Sequence, residues 1–296
     1  MNNSKNNSHL FSILLVFVLM FIFTSCSKEI EIDTRGFKKQ LVVNSLFHPK
    51  IPFSFDISLT QTPIDTFTII TDSIYIALYE ENRKVFETKT LSNSLSTYIM
   101  PQWGSSYQLK VYVEGFDTLY ACDTIPQMIS IVDAYYIGPI SVDKYGCQSG
   151  KFNFSVLDPA ETHNYYEFEW GYYENVKAID PVFINEGDVA YQPTTHYFSD
   201  ELFNGKNYNF SIVSGLSQNI GWQPTIVLKS VSRNYYLYRK YLTRHLATQP
   251  TLDLEVGALI FKSEPQPMYS NIKNGVGIFA GYCETDPVYF RKINSN

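Results

Sequence analysis

Cysteine is scarce in this chain of 296 residues: four in all, Cys26, Cys122, Cys147 and Cys283, too few and too scattered for a disulfide-built scaffold. Charge is thin as well, at 18% of residues, which excludes a coiled coil, while the 45% hydrophobic content excludes a disordered chain. Histidine is rare; past His9 only His48, His163, His196 and His245 occur, far apart and without the paired-histidine helix motif of a zinc hydrolase. Each reads as a surface or capped histidine, and no metal ion or cofactor is expected. A Gly-x-Ser-x-Gly elbow is missing, so a Ser-His-Asp hydrolase has no local marker. The formal net charge of -6 argues against nucleic acid, which needs clustered Lys and Arg over a whole face.

Aromatic residues are what the chain has in excess: 23 Tyr, 21 Phe and 3 Trp, 16% of the total. Such side chains suit pleated, half-buried surfaces, so the composition predicts an all-β, mainly antiparallel fold. The local pattern agrees. Phe53, Phe55, Ile57 and Leu59 alternate with Ser54, Asp56 and Ser58, and Tyr107, Leu109, Val111 and Val113 do the same. Segments 40–47, 73–79 and 85–89 are further strands, with prolines and Asn82 between them. Strands at this spacing predict an immunoglobulin-like β-sandwich over residues 39–126, ending near Ile125-Pro126. Residues 127–296 form a second β-rich domain, with Phe152, Phe154 and Val156, then Tyr165 to Trp170, then Tyr208, Phe210 and Ile212 as strand cores.

One segment breaks this rhythm. Val231, Tyr235, Tyr238, Leu242 and Leu246 recur at helical spacing, which predicts one amphipathic helix over residues 231–247, with Ser230 as N-cap and Pro250 stopping it. The helix also lies in a charge anomaly. From Leu202 to Leu252 there is no Asp or Glu, yet Lys206, Lys229, Arg233, Arg239, Lys240 and Arg244 are present. Arg233, Arg239, Lys240 and Arg244 are therefore the candidate face for an anionic partner; an ordinary solvated face, balanced by acids elsewhere in the fold, is the plainer reading. Glu167 and Glu169 are a carboxylate pair on one strand face, as a glycosidase would need, but they also read as an exposed acidic face with Tyr166, Phe168 and Trp170 turned inward. Trp103, Tyr172, Tyr173 and Trp222 could stack on sugars if exposed together.

The first 26 residues carry the clearest targeting signal. Lys5 and His9 precede Leu10 to Phe23, an apolar run broken only by Ser12 and too short to span a bilayer comfortably. Phe23-Thr24-Ser25-Cys26 resembles the lipobox of bacterial lipoproteins, which implies cleavage after residue 25 and acylation of Cys26. Several acyl chains hold a protein far more firmly than one, since each buried methylene contributes about 0.8 kcal/mol. Residues 26–38 then form a tether whose acidic start, Ser27-Lys28-Glu29-Ile30-Glu31, is similar to the surface-export signal of Bacteroidota lipoproteins. Past Cys26, Cys122 and Cys147 could pair across the domain junction, leaving Cys283 as the odd thiol. Asp72-Ser73-Ile74, Asp117-Thr118-Leu119 and Asp123-Thr124-Ile125 look like O-glycosylation acceptors of exported Bacteroidota proteins and also fit strand-edge turns.

Five more motifs follow the lipobox: Leu41-Val42-Val43-Asn44, Asp123-Thr124-Ile125-Pro126, Phe203-Asn204-Gly205-Lys206, Val231-Ser232-Arg233-Asn234-Tyr235-Tyr236, and Ser270 through Asn274-Gly275-Val276-Gly277-Ile278-Phe279. In this order they resemble the Bacteroidota lipoproteins of domain-of-unknown-function family 4249. The resemblance implies a surface or periplasmic lipoprotein of the outer membrane, often encoded near TonB-dependent receptors, and it supplies no catalytic residues; the lipobox and acidic tether favour the lipid-anchored cell-surface location. Read physically, Asn274-Gly275 turns the chain and Gly277 admits a close backbone neighbour. No helix start or Lys-Ser/Thr follows, as a phosphate loop would require. The expected function is a non-enzymatic accessory or ligand-binding component of a TonB-dependent uptake or envelope complex; a surface hydrolase of glycan or peptide and a structural adhesin-like module are the alternatives.

Overall fold

Apolar-polar alternation sets the strands of the first half: β1 (Leu41–Phe47), β2 (Ser54–Leu59), β3 (Ile74–Glu80), β4 (Arg83–Thr90), β5 (Ser94–Ser96), β6 (Ser106–Val113) and β7 (Leu119–Thr124). The computed structural model describes residues 36–62, 69–174, 177–181, 184–186, 197–216, 223–247 and 266–293. The segment with the signal run and Cys26 lies outside them, as do His196 and Trp222. The second half contributes β8 (Ile131–Val142), β9 (Gln148–Leu157), β10 (Tyr165–Glu174), β11 (Lys177–Pro181), β12 (Ile184–Glu186), β13 (Tyr197–Ser199), β14 (Asn207–Gly215) and β15 (Gln223–Val231). Helix α1 (Arg233–Ala247) follows directly, and β16 (Val276–Glu284), β17 (Val288–Tyr289) and β18 (Arg291–Ile293) close the chain.

The result is an all-β fold with one helix among the described residues. Most pairings are antiparallel; β1 with β16 and β8 with β18 are parallel. A four-stranded sheet runs β4-β3-β6-β7 and a five-stranded sheet runs β12-β14-β9-β8-β18. Both pack against one nine-stranded sheet, β11-β10-β15-β16-β1-β2-β5, to which β13 and β17 add at β10 and β15. The first core lies between β3, β6, β7 and the β2-β1-β16 end of the long sheet, and it includes Ile272, Phe279 and Cys283 from the far end of the chain. Phe47 stands 4.8 Å from Phe53 and 4.6 Å from Phe279, ring centre to ring centre, and Tyr107 meets Phe53 edge-on at 4.9 Å. Each such pair adds about 0.5–1.5 kcal/mol beyond its buried area. The second core, built on Phe152, Phe154, Phe168, Phe210 and Phe290, lies between β9, β14 and the β10-β15 end.

Gly277 makes the β1-β16 pairing possible. It has φ of +120°, and a Cβ there would lie 2.0 Å from the carbonyl oxygen of Val43, its register partner. Asn274 takes the left-handed turn position at φ 65°. The predicted role of this motif as a turn followed by a close backbone approach matches the geometry. The helix starts two residues later than its periodicity suggested: Ser230 and Val231 complete β15, and Ser232 caps α1 by accepting the Tyr235 N–H at 3.1 Å.

Candidate functional site

The polypeptide passes from β15 into α1 at the seam where the two ends of the long sheet meet. There Lys229, Ser230 and Val231 pair with Glu284, Cys283 and Tyr282 of β16. Asp123, at the end of β7, is held at the start of the helix: its carboxylate accepts from Ser232 Oγ at 2.5 Å, the Gly281 N–H at 2.9 Å and Asn234 Nδ2 at 3.1 Å. Burial pushes the Asp123 carboxyl above its ordinary pKa, and the hydrogen bonds from Ser232 and Gly281 pull the other way. An anion at a helix N-terminus is also favoured by the helix dipole. Sequence reasoning met Asp123 in a glycosylation-like triplet and in the motif Asp123-Thr124-Ile125-Pro126 but not as a helix anchor, because the partners of its side chain come from residues 232–234 and 281.

Beneath the helix, charged groups form a row across three strands: Glu167 on β10 faces Lys229 on β15, which faces Glu284 on β16. The exposed acidic face expected at Glu167 and Glu169 holds at Glu169 and is corrected at Glu167, which α1 covers and leaves 4% exposed. Glu167 accepts the Tyr235 hydroxyl at 2.5 Å and the Arg239 guanidinium at 2.8 Å and 3.1 Å. Glu169, more open to solvent, pairs with Lys229 Nζ, which also lies 5.5 Å from the Tyr282 ring centre. Burial, then the neighbouring Glu167 charge, drive the Tyr235 hydroxyl far above the usual phenol range. Glu167 is occupied in holding the helix and Glu169 in pairing with Lys229 of β15. A glycosidase would need them flanking an open cleft. On the opposite face of β10 Tyr166, Phe168 and Trp170 turn inward as the alternation predicted.

The candidate cationic residues divide by helical geometry. Arg233, Lys240 and Arg244 are seven and four residues apart, which puts them within about 40° of one another around the axis. Arg239 lies about 120° away, on the side that meets β10, and its charge is spent on Glu167. Arg233 and Arg244 are exposed and Lys240 partly so. None of the three has a carboxylate within ion-pair distance among the described residues. Lys240 sits 5.5 Å from the Tyr236 ring and Arg244 5.8 Å from the Tyr241 ring, contacts that steer long side chains without neutralising them. Arg233 also lines an open cleft of about 740 Å³, bounded by Asp123, Thr124, Pro126 and Gln127, by Pro159 and Glu161 to Tyr165, and by Ser230 to Ser232.

The profile of a domain of unknown function, DUF4249, matches residues 27–286. The chain belongs to the DUF4249 family. No curated protein matches it in sequence at a significant level. Two solved structures are similar in part: a β-glucuronidase from glycoside hydrolase family 2, at 10% identity and TM-score 0.20, and Escherichia coli α-2-macroglobulin activated by porcine elastase, at 5% identity and TM-score 0.22. The alignments cover 65% and 90% of this chain but only 19% and 22% of those proteins.

The remaining residues singled out in this DUF4249 chain are dispersed. His48 is buried and stacks on Tyr282 with ring centres 4.7 Å apart; burial lowers its pKa. His163 Nδ1 lies 3.5 Å from the buried Asp200, and His245 Nδ1 lies 2.8 Å from the Gln266 carbonyl. Among the described residues no group of three or more His, Cys, Asp and Glu side chains is disposed to hold a metal ion. Cys122 and Cys147 do not pair: all three described cysteines are free, with Cys283 buried and its thiol pushed up to about 12 by desolvation. Trp103 is half-exposed. Among the described residues no helix is long and apolar enough to cross a membrane.

Proposed function

We propose that this DUF4249 chain is a lipid-anchored, non-enzymatic accessory protein of the outer membrane, which docks through helix α1 onto an anionic surface of a TonB-dependent receptor or another envelope complex. The observation that carries this reading is the stripe of Arg233, Lys240 and Arg244. These cations stand opposite the buried face of α1, without carboxylate partners among the described residues, in a chain whose net charge is -6. Rigid backing adds to it: Asp123 holds the start of the helix and Glu167 its middle, so the stripe is presented at fixed spacing. Such charges speed encounter and set specificity more than they add raw affinity, and salt screens them. The lipobox-like Phe23-Thr24-Ser25-Cys26 supplies the anchor.

Affinity purification of the tagged chain from native outer membranes tests the proposal. A barrel protein should co-purify, and Arg233→Glu, Lys240→Glu and Arg244→Glu together should release it while the thermal midpoint stays put. An unchanged pull-down would refute docking through the stripe. Cys26→Ser should move the protein out of the membrane fraction; retention there would refute the anchor.

A further inference from the structure

The outward face of the β4-β3-β6-β7 sheet is unusual for a solvated sheet. Its inward residues, Ile74, Ile76, Leu78, Leu109, Val111 and Val113, already fill the first core. Yet the opposite face displays Tyr75, Tyr112 and Tyr120, which are 42%, 40% and 45% exposed. These rings do no core packing, and exposed rings that gather into one patch mark an interaction surface.

Register places them in rows. Lys89, Tyr75 and Tyr112 lie side by side across β4, β3 and β6, with the two rings 6.0 Å apart. In the next row come Glu87, Ala77, Lys110 and Tyr120. The small side chain of Ala77 between longer neighbours opens a shallow groove of about 250 Å³, lined by Tyr75, Tyr79, Tyr112, Lys110 and Glu87. Lys89 Nζ is held 4.9 Å from the Tyr75 ring centre and Lys110 Nζ 5.9 Å from that of Tyr120.

We propose that this tyrosine platform binds an acidic glycan. A pyranose ring has an apolar C–H face and a polar rim, which matches rings interleaved with ammonium and carboxylate groups. A protein partner would ask instead for a continuous apolar centre free of charge. The sign of the charge selects the acidic class. Glu87 is taken by Lys84 at 2.7 Å, whereas Lys89 and Lys110 have no carboxylate within ion-pair distance among the described residues. Two uncompensated cations therefore flank the stacking surface, placed to meet uronate carboxylates along a sugar chain. The site lies on a different sheet from α1, so it stands or falls independently of the docking stripe.

The test is calorimetric titration of the full chain in detergent with oligogalacturonate, and with a neutral β-glucan oligomer of the same length. Saturable binding of the uronate is expected, weakened by added salt, and about tenfold weaker in Tyr112→Ala and in Lys110→Gln. Both substitutions are on the surface, and an unaltered thermal midpoint confirms the fold. No saturable binding, equal affinity for the neutral glucan, or wild-type affinity in both variants would each overturn the proposal.

Discussion

Replacing Glu167 by alanine tests whether the buried ion pair holds the helix to the sheet. Tyr235 is 5% exposed, and its hydroxyl would be left without its acceptor, a loss of about 1–3 kcal/mol. Breaking a fully buried ion pair by removing one partner typically costs about 3–5 kcal/mol. The Arg239 side chain, however, is 36% exposed and can turn to water, so only a fraction of that applies. The sum is about 3 kcal/mol, or about 6–12 °C in thermal midpoint for a domain of this size. Glu167→Gln keeps an acceptor for Tyr235 and should lose about half as much. Scanning calorimetry of Glu167→Ala, Tyr235→Phe and the double variant gives the pair's coupling directly. A cost below about 0.5 kcal/mol for Glu167→Ala, the range of an ordinary surface change, would refute the reasoning.

Gly277→Ala should destabilise by at least about 3 kcal/mol, since its Cβ would strike the Val43 carbonyl; an unshifted urea midpoint would contradict the parallel β1-β16 pairing. In native protein Cys122 and Cys147 should alkylate without reductant, while Cys283, buried and with its thiol near 12, should react only after unfolding; mass mapping reads all three. Because burial lowers the pKa of His48, the unfolded chain takes up its proton first. Stability is therefore full above about pH 6.5 and declines as pH falls through the window down to the lowered folded value. His48→Phe, which can still stack on Tyr282, should flatten that decline in pH-dependent denaturation, and an unchanged slope would rule His48 out as its source.

Much of the fold was legible because strand alternation is a local property. Phe53, Phe55 and Ile57 are buried as their spacing implied, and so are Tyr107, Leu109, Val111 and Val113. Tyr166, Phe168 and Trp170 turn inward for the same reason. Long-range partnership was not legible. Glu167 looked solvent-facing because alternation assumes that one face of a strand is wet, and nothing near residue 167 announces a helix arriving from 72 residues away. Asp123 was hidden likewise, its donors being more than 100 residues distant. The charge imbalance over residues 202–252 pointed to helix α1, but only the helical angle separates Arg239 from Arg233, Lys240 and Arg244. The exposed tyrosines of β3 and β6 carried the same alternating pattern as any amphipathic strand, and register alone gathers them into one surface.

The parallel ladder between β1 and β16 also sets a timetable. Residues 42–47 leave the ribosome long before their neighbours at 276–281. Until then β1 presents one unsatisfied row of N–H and C=O groups, and Phe47 lacks its contact with Phe279. Such an open strand invites pairing with other chains. The nascent protein therefore depends on being kept extended or chaperoned until β16 emerges, and a chain truncated before residue 276 should aggregate or be degraded rather than persist.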